Sequence, residues 1–417
     1  MDFFRVLRYY RRLKAEQWDR ERIERTAASK LDAALASAVS GTKFYGALRL
    51  PKNPSLEDFP ILTKQEIQQE QSSFIRRGVD KSRLLRLQTS GSSGRPLETC
   101  QSEDESDYGV ALNHMVQGEF GRGPFDLLVS ITHAKDATHP VLSALRIYRK
   151  KALSVFEDER KNFGELLRLR PQILGWYPSV ISALGRLNAE RGKPLRLKRV
   201  FCASELLAPS TRRFIEDSFS ATVFNIYGTS EFGIVAWECP EEHSLHVNST
   251  SCRVEIVDSK GNPKKTGTGD ILITGLRDSA MPLIRYRIGD RGSWGRECGC
   301  GRALPVLGTL EGRDDDFIVL PSGRVRSARS INLMDEFTSI RSYQIVQESE
   351  TLFVFRYVPA GRDIPEALKG EIAGLIRQGC LGEPVRVEFQ QVDSIQKSAS
   401  GKIRTVVSKV KGKAPGL

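Results

Sequence analysis

Apolar residues recur at spacings of three and four through the first stretch of the chain, most clearly in "LDAALASAVSGTKFYGAL". Residues 1 to about 45 are therefore expected to be helical. "NPSLEDFPILTKQEIQQEQ" reads as a loop feeding a capped helix, with Thr63 at the N-cap and Glu66 three residues on. From about 84 to 310, short apolar runs alternate with helical patterns, as in "DLLVSIT", "PQILGWYPSVISALGRL", "LKRVFCAS", "TRRFIEDSF" and "TVFNIYGTS". That alternation predicts a layered α/β fold. Past "GRDDDF" the texture changes. "FIVLPSGRVR" predicts a strand pair, "SYQIVQ" and "LFVFRYV" alternate like strands, "IPEALKGEIAGLIRQG" predicts a helix ending at Gly379, and "PVRVEFQQV" predicts a further strand. This is a compact α+β unit of roughly 100 residues. The charged tetrad Arg313 to Asp316 would not be buried as a block, so the boundary is expected there, giving domains 1–312 and 313–417. No internal repeat is visible.

Length agrees with two domains: 417 residues exceed one ordinary core. The chain is 40% hydrophobic and 27% charged, normal for a globular protein. No apolar run approaches the roughly 18 residues of a membrane span. The start, "MDFFRVLRYYRRLK", lacks the apolar run of a secretory signal. A cytoplasmic protein is expected, its seven cysteines serving as thiols or metal ligands. Net charge is +12, which raises nucleic acid or a membrane surface as partners. The basic residues are interleaved with acids except at the two ends, in Arg5 to Arg25 and in "SKVKGKAPGL". DNA-reading zinc-finger spacings and RNP-like aromatics are absent, so nucleic acid is not the expected partner.

The stretch "LQTSGSSGRPLET" gathers Thr89, Ser90, Gly91, Ser92, Ser93 and Gly94 ahead of Arg95 and Pro96. Its composition suits a flexible linker, or a loop whose N–H groups and hydroxyls wrap an anion. It does not satisfy the Walker A pattern. Four further segments follow in order: "NIYGTSEFG" (225–233), "MPLIRYRIGDRG" (281–292), "LEGRDDDFI" (310–318) and "KSASGKIR" (397–404). Each alone is weak. In this order and spacing, the series resembles the motifs of the adenylate-forming superfamily, in its phenylacetate–CoA ligase and capsule-biosynthesis branch. "KFYGAL…SLEDFPILTKQEI" is similar to that branch's lead-in. The resemblance covers essentially the whole chain from about residue 25.

The resemblance implies a large N-terminal α/β adenylation domain of layered sheets and helices, and a small mobile α+β lid. It implies ATP-dependent conversion of a carboxylic acid to acyl-AMP with release of pyrophosphate, then transfer to a thiol, with coenzyme A preferred. An amine, a carrier-protein thiol, or a non-catalytic nucleotide-binding role are the alternatives. Charge builds on phosphate oxygens in such a reaction, so positioning and electrostatics carry the catalysis. On this reading residues 89–94 receive the phosphates and Arg95 adds a cation. Tyr227 offers a flat face for adenine, Ser230 a hydroxyl, and Glu231 a carboxylate for Mg²⁺, with Gly228 in the same nucleotide-binding segment; an ordinary turn after a buried strand would use Gly228 equally well. Asp290 accepts from the ribose hydroxyls, Arg313 opens the hinge with Asp315 as its pivot, and Lys402 is the catalytic lysine. Read singly, the same positions suit a turn, a charged surface run and a basic tail. Two departures from the pattern stand out: Ile288 where the family usually has Thr, and "FCASELL" (201–207), with Ala203 and Ser204, where relatives usually carry Gly-Gly-Glu. Trp176 and Tyr177 are candidate walls of the acyl pocket. The acid itself is not legible, and neither is the oligomeric state, with a homodimer one option.

Cys239 precedes His243 and His246 in "ECPEEHSLHV", and Cys298 and Cys300 form "CGCGR". Glycines let such a knuckle point both sulfurs at one ion. Cys239, Cys298, Cys300 and one histidine would close a tetrahedral structural Zn²⁺ site. His246 matches the pattern of the resembled branch better than His243. Unpaired thiols beside surface histidines are the alternative. Cys100, Cys202, Cys252 and Cys380 lack partners by spacing and are expected to be buried thiols.

Overall fold

The computed structural model describes residues 1–88, 97–132, 145–313, 317–327, 331, 337, 339–361, 363–396 and 404–410. The chain divides into two compact units, one of residues 1–121 and 226–310, the other of residues 122–225 and 311–417.

The first unit opens with helices α1 (Phe3–Ala15) and α2 (Arg20–Gly41). Aspartates start both: Asp2 accepts from the amides of Phe4 and Arg5, and Asp19 from that of Arg22. Thr63 and Glu66 form the expected capping box, with Glu66 Oε2 2.7 Å from the Thr63 amide. Ser102 and Glu105 repeat the device at the head of helix Glu103–Glu119, whose first turn carries Glu103, Asp104 and Glu105 toward the positive end of the helix dipole.

The unit's sheet runs in the order 252–257, 269–275, 286–294, 306–313, 245–247, 233–238, 222–229. Strand Val306–Arg313 thus lies antiparallel beside Leu245–Val247, a pairing between segments far apart in sequence. One core fills the unit, from Leu35 and Tyr45 through Val235 and Ile256 to Tyr286 and Leu307. Tyr45 is fully buried and its hydroxyl accepts from the Ile284 amide at 2.9 Å, tying the N-terminal helical segment to the strand region.

In the second unit, strands Arg199–Ala203, Ile173–Trp176, Leu128–Thr132 and Lys150–Ser154 are neighbours in that order and all parallel. Helices Glu159–Leu169 and Pro178–Ala189 supply crossovers. Leu128–Thr132, Ile173–Trp176 and Arg199–Ala203 are largely buried, as in a parallel sheet covered on both faces, whereas the edge strand Lys150–Ser154 opens on two lysines. A separate core, drawn from residues 318–406, lies under the four-stranded sheet ordered 386–391, 352–359, 340–349, 406–408, with helix Glu366–Gly379 packed on it. Cys100, Cys202, Cys252 and Cys380 are buried thiols.

Candidate functional site

The site is built on a hairpin. Strand Thr222–Thr229 turns through Ser230, Glu231 and Phe232 into strand Gly233–Glu238. The Thr229 hydroxyl accepts from the Phe232 amide at 3.1 Å and closes the turn. Pairing slips between Tyr227 and Gly228, a bulge that brings two backbone segments together. A Cβ at Gly228 would stand 2.7 Å from the Gly233 carbonyl oxygen, so only glycine fits. The turn therefore presents Gly228 and Ser230 exposed, and Tyr227 and Glu231 half-buried.

Strand Tyr286–Trp294 meets this turn through two hydrogen bonds. Tyr227 donates its hydroxyl to Asp290 Oδ2 at 2.8 Å, and the buried Tyr286 donates to Glu231 Oε1 at 3.2 Å. Glu231 Oε2 accepts nothing among the described residues, which leaves one carboxylate oxygen for a hard cation. Gly289 adopts φ 84°, a left-handed conformation open to glycine, immediately before Asp290. Two carboxylates, two phenols and a hydroxyl thus collect from segments about sixty residues apart. Sequence spacing does not single out Tyr286 or Phe232, whose rings lie 6.3 Å apart; the only hint is that Tyr286 opens "YRIGD".

Cys239, His246, Cys298 and Cys300 form a second constellation, their ligand atoms all within 4.8 Å of one another. Cys239 Sγ lies 3.6 Å from Cys298 Sγ, and Cys300 Sγ lies 3.4 Å from His246 Nε2. Tetrahedral zinc would require edges of about 3.8 Å between sulfurs and about 3.6 Å between sulfur and nitrogen. The donor set and its spacing therefore fit the ion. His246 is buried in strand Leu245–Val247, and its Nδ1 lies 3.3 Å from the Leu304 carbonyl. An Nδ1–H donated there leaves Nε2 unprotonated toward the sulfurs, the tautomer a ligand needs. Burial also holds this imidazole below its ordinary pKa, favouring the neutral ring. His243 instead faces Glu238 Oε2 at 3.3 Å. Arg302 follows the knuckle and pairs with Glu241 at 2.8 Å, fixing its far edge.

Trp176 ends a strand of the second unit, and Tyr177 is the N-cap of the helix that follows. Trp176 is half-buried, with the Lys150 ammonium 5.7 Å from its ring centre, whereas Tyr177 is buried in that unit's apolar core. Burial pushes the Tyr177 hydroxyl up to about 12. Ser204 adopts φ 69°, a conformation that favours glycine, which gives a physical reason for glycine in the resembled pattern at this place. Glu205 accepts from the Ser179 amide and hydroxyl, both at 3.0 Å. Thr89, Ser90, Gly91, Ser92, Ser93, Gly94, Asp315 and Lys402 lie outside the described residues. Arg313 ends its strand, with its side chain also outside the description.

No family model matches the chain. It is 31% identical over 160 residues to the phenylacetate–coenzyme A ligase of Thermus thermophilus, a stretch that covers 36% of each protein. It is 22% identical over 386 residues to protein CapK of Staphylococcus aureus, covering 86% of this chain and 81% of that one. Among solved structures, 2-hydroxyisobutyryl-CoA ligase in the postadenylation state superposes with a TM-score of 0.75 at 20% identity, over 93% of this chain and 90% of that one. The chain has the fold of the adenylate-forming ligases. In sequence it is similar to phenylacetate–CoA ligase over part of its length and to CapK over most of it.

Proposed function

We propose that the protein activates a carboxylic acid with ATP, forming acyl-AMP and pyrophosphate, and then transfers the acyl group to a thiol, with coenzyme A the preferred acceptor. One observation carries this reading: Tyr227–Asp290 and Tyr286–Glu231 join the two motif segments into one cluster of carboxylates and phenols. Asp290 accepts from the ribose hydroxyls, the Tyr227 ring lies against adenine, and Ser230 donates to a phosphate oxygen. Glu231 would hold Mg²⁺, which offsets the charge that builds on the phosphates during transfer. Residues 89–94 wrap the departing pyrophosphate. Lys402 brings one positive charge to the carboxylate and α-phosphate. On this reading residues 1–312 form the adenylation domain and 313–417 a lid that pivots at Asp315, with Arg313 at the nucleotide. Trp176 and Tyr177 lie along the acyl side, Trp176 the more accessible of the two. Cys239, His246, Cys298 and Cys300 would hold a structural zinc ion that pins the loop before strand Val306–Arg313 to the hairpin beyond the nucleotide turn.

The test is ATP–pyrophosphate exchange across a panel of aryl, arylacetic and medium-chain acids. Acid-dependent exchange, lost in Glu231→Gln and Asp290→Asn, is the expected result. Tight ATP binding without exchange for any acid would leave a nucleotide-binding protein and overturn the enzymatic reading. A second panel of coenzyme A, lysine and carrier-protein thiol, offered to preformed acyl-AMP, identifies the acceptor.

A further inference from the structure

Helix α1 has two unlike faces. Arg5, Tyr9, Leu13 and Gln17 recur every four residues and hold it to helix Glu103–Glu119. Arg5 pairs with Asp107 at 2.6 Å, the Tyr9 hydroxyl donates to Asp104 at 2.8 Å, Leu13 is buried, and the Gln17 amide reaches the Met115 sulfur at 3.6 Å. The opposite face runs Phe4, Arg8, Arg11, Ala15 and, just past the helix, Trp18, all exposed. Phe4 is 81% exposed, Trp18 51% and Phe3 45%. Between Phe3 and Ala15 the chain "FFRVLRYYRRLKA" carries five cations and no carboxylate. Trp18 lies with one side toward the Arg302 guanidinium, 5.1 Å from its ring centre, and keeps half its surface in water, while Phe3 and Phe4 stand exposed at the other end; aromatic surface flanking an arginine stripe suits a partner that is apolar as well as anionic.

A cleft adjoins this face. Arg12 of α1 and Arg22, Arg25, Thr26, Ser29 and Lys30 of α2 line an open volume of about 470 Å³. Glu16 pairs with Arg12 at 2.6 Å and is a weak counterweight to Lys30. Lys30 reaches inward to a neutral partner, the Thr250 carbonyl at 2.5 Å, while Arg12 and Arg277 repel it. The cleft therefore presents more positive charge than its own residues offset, beside hydroxyls that can donate to phosphate oxygens.

We propose that the α1–α2 face docks on an anionic phospholipid surface, with Phe4 and Trp18 at headgroup depth and the cleft taking a phosphate-bearing headgroup. A polynucleotide or a free phosphate would satisfy the arginines but would leave Phe4 in water. A bilayer interface satisfies both. This inference does not rest on the acid-activation reading, and none of its residues belongs to the nucleotide cluster.

The experiment is co-sedimentation of the full chain with vesicles of phosphatidylcholine alone and with about 30% phosphatidylglycerol, near physiological salt. Binding to the anionic vesicles alone is expected, with release in high salt and a blue shift of tryptophan emission. Each lost cation should lower partitioning about fivefold, so the exposed set Arg8→Gln, Arg11→Gln, Arg22→Gln and Arg25→Gln together should lower it at least about a hundredfold. Phe4→Ser alone should lower it about tenfold. Absence of sedimentation with anionic vesicles overturns the proposal. So does binding to a single-stranded polynucleotide or inorganic phosphate in place of vesicles, and so does unchanged vesicle binding by the folded quadruple variant. The lipid and salt comparisons on the unaltered chain decide the matter even if that variant does not fold.

Discussion

Removing the proposed zinc ion from the Cys239, His246, Cys298, Cys300 cluster should loosen the first unit by a calculable amount. An ion shared by Cys239 and Cys298 closes a loop between residues 59 apart. The chain-entropy relation for a cross-link of that length gives about 4 kcal/mol at room temperature. The first unit also has an extensive apolar core, so the protein should loosen rather than collapse. At about 2–4 °C per kcal/mol, the thermal midpoint should fall by about 10 °C. The measurement pairs elemental analysis of purified protein with thermal unfolding before and after dialysis against a chelator. About one zinc per chain, and a midpoint restored by added zinc, is the expected result. Cys298→Ser should reproduce the fall and bind zinc poorly. Its exchange activity at low temperature should be less affected, since no ligand belongs to the nucleotide turn. Protein without zinc whose midpoint ignores the chelator would refute the reasoning.

Lys402→Ala should depress acyl-AMP formation on the order of a hundredfold or more, and largely spare thiol transfer from supplied acyl-AMP. Equal losses in both half-reactions, assayed separately, would exclude a lysine that leaves the site between them. Gly228→Ala drives a Cβ to 2.7 Å from the Gly233 carbonyl, so the turn must shift; a loss of about 1–3 kcal/mol in urea unfolding and a lower exchange rate are expected. Burial and the nearby Arg12 and Arg277 lower the Lys30 ammonium to about 8, with Glu16 a weaker counterweight. Between that pH and its ordinary 10.5 the unfolded chain holds more protons, so stability should rise with pH across this window. Lys30→Met should flatten that rise in urea midpoints measured at about pH 7.5 and 9.5, and an identical rise in both proteins would contradict it.

What was legible in the sequence was local. The Thr63–Glu66 box, the helix end at Gly379 and the alternation of strands and helices depend on residues near one another, so propensity and period suffice. The Cys-Gly-Cys-Gly spacing is local too, and it brought two sulfurs into consideration together. Non-local pairing was not legible. Nothing near Val306 indicates that its strand would lie beside Leu245, because that choice is made by the whole sheet. Tyr286 gives no local signal for the same reason: its hydroxyl matters only once residue 231, 55 positions away, arrives beside it. Likewise Arg285 and Glu255, both buried and 3.3 Å apart, form an ion pair that no spacing rule announces.

The Tyr227 hydroxyl has a further effect on its neighbour. On the proposed reading Asp290 receives the ribose hydroxyls beside a phenol that already donates to its Oδ2 at 2.8 Å. The tyrosine need not be displaced. It holds the aspartate in one rotamer before any nucleotide arrives, and the ordering of that side chain, about 0.5–1.5 kcal/mol, is met during folding instead of during binding. On the proposed reading a nucleotide would meet an aspartate already in place, and part of its affinity would be preorganisation rather than contact.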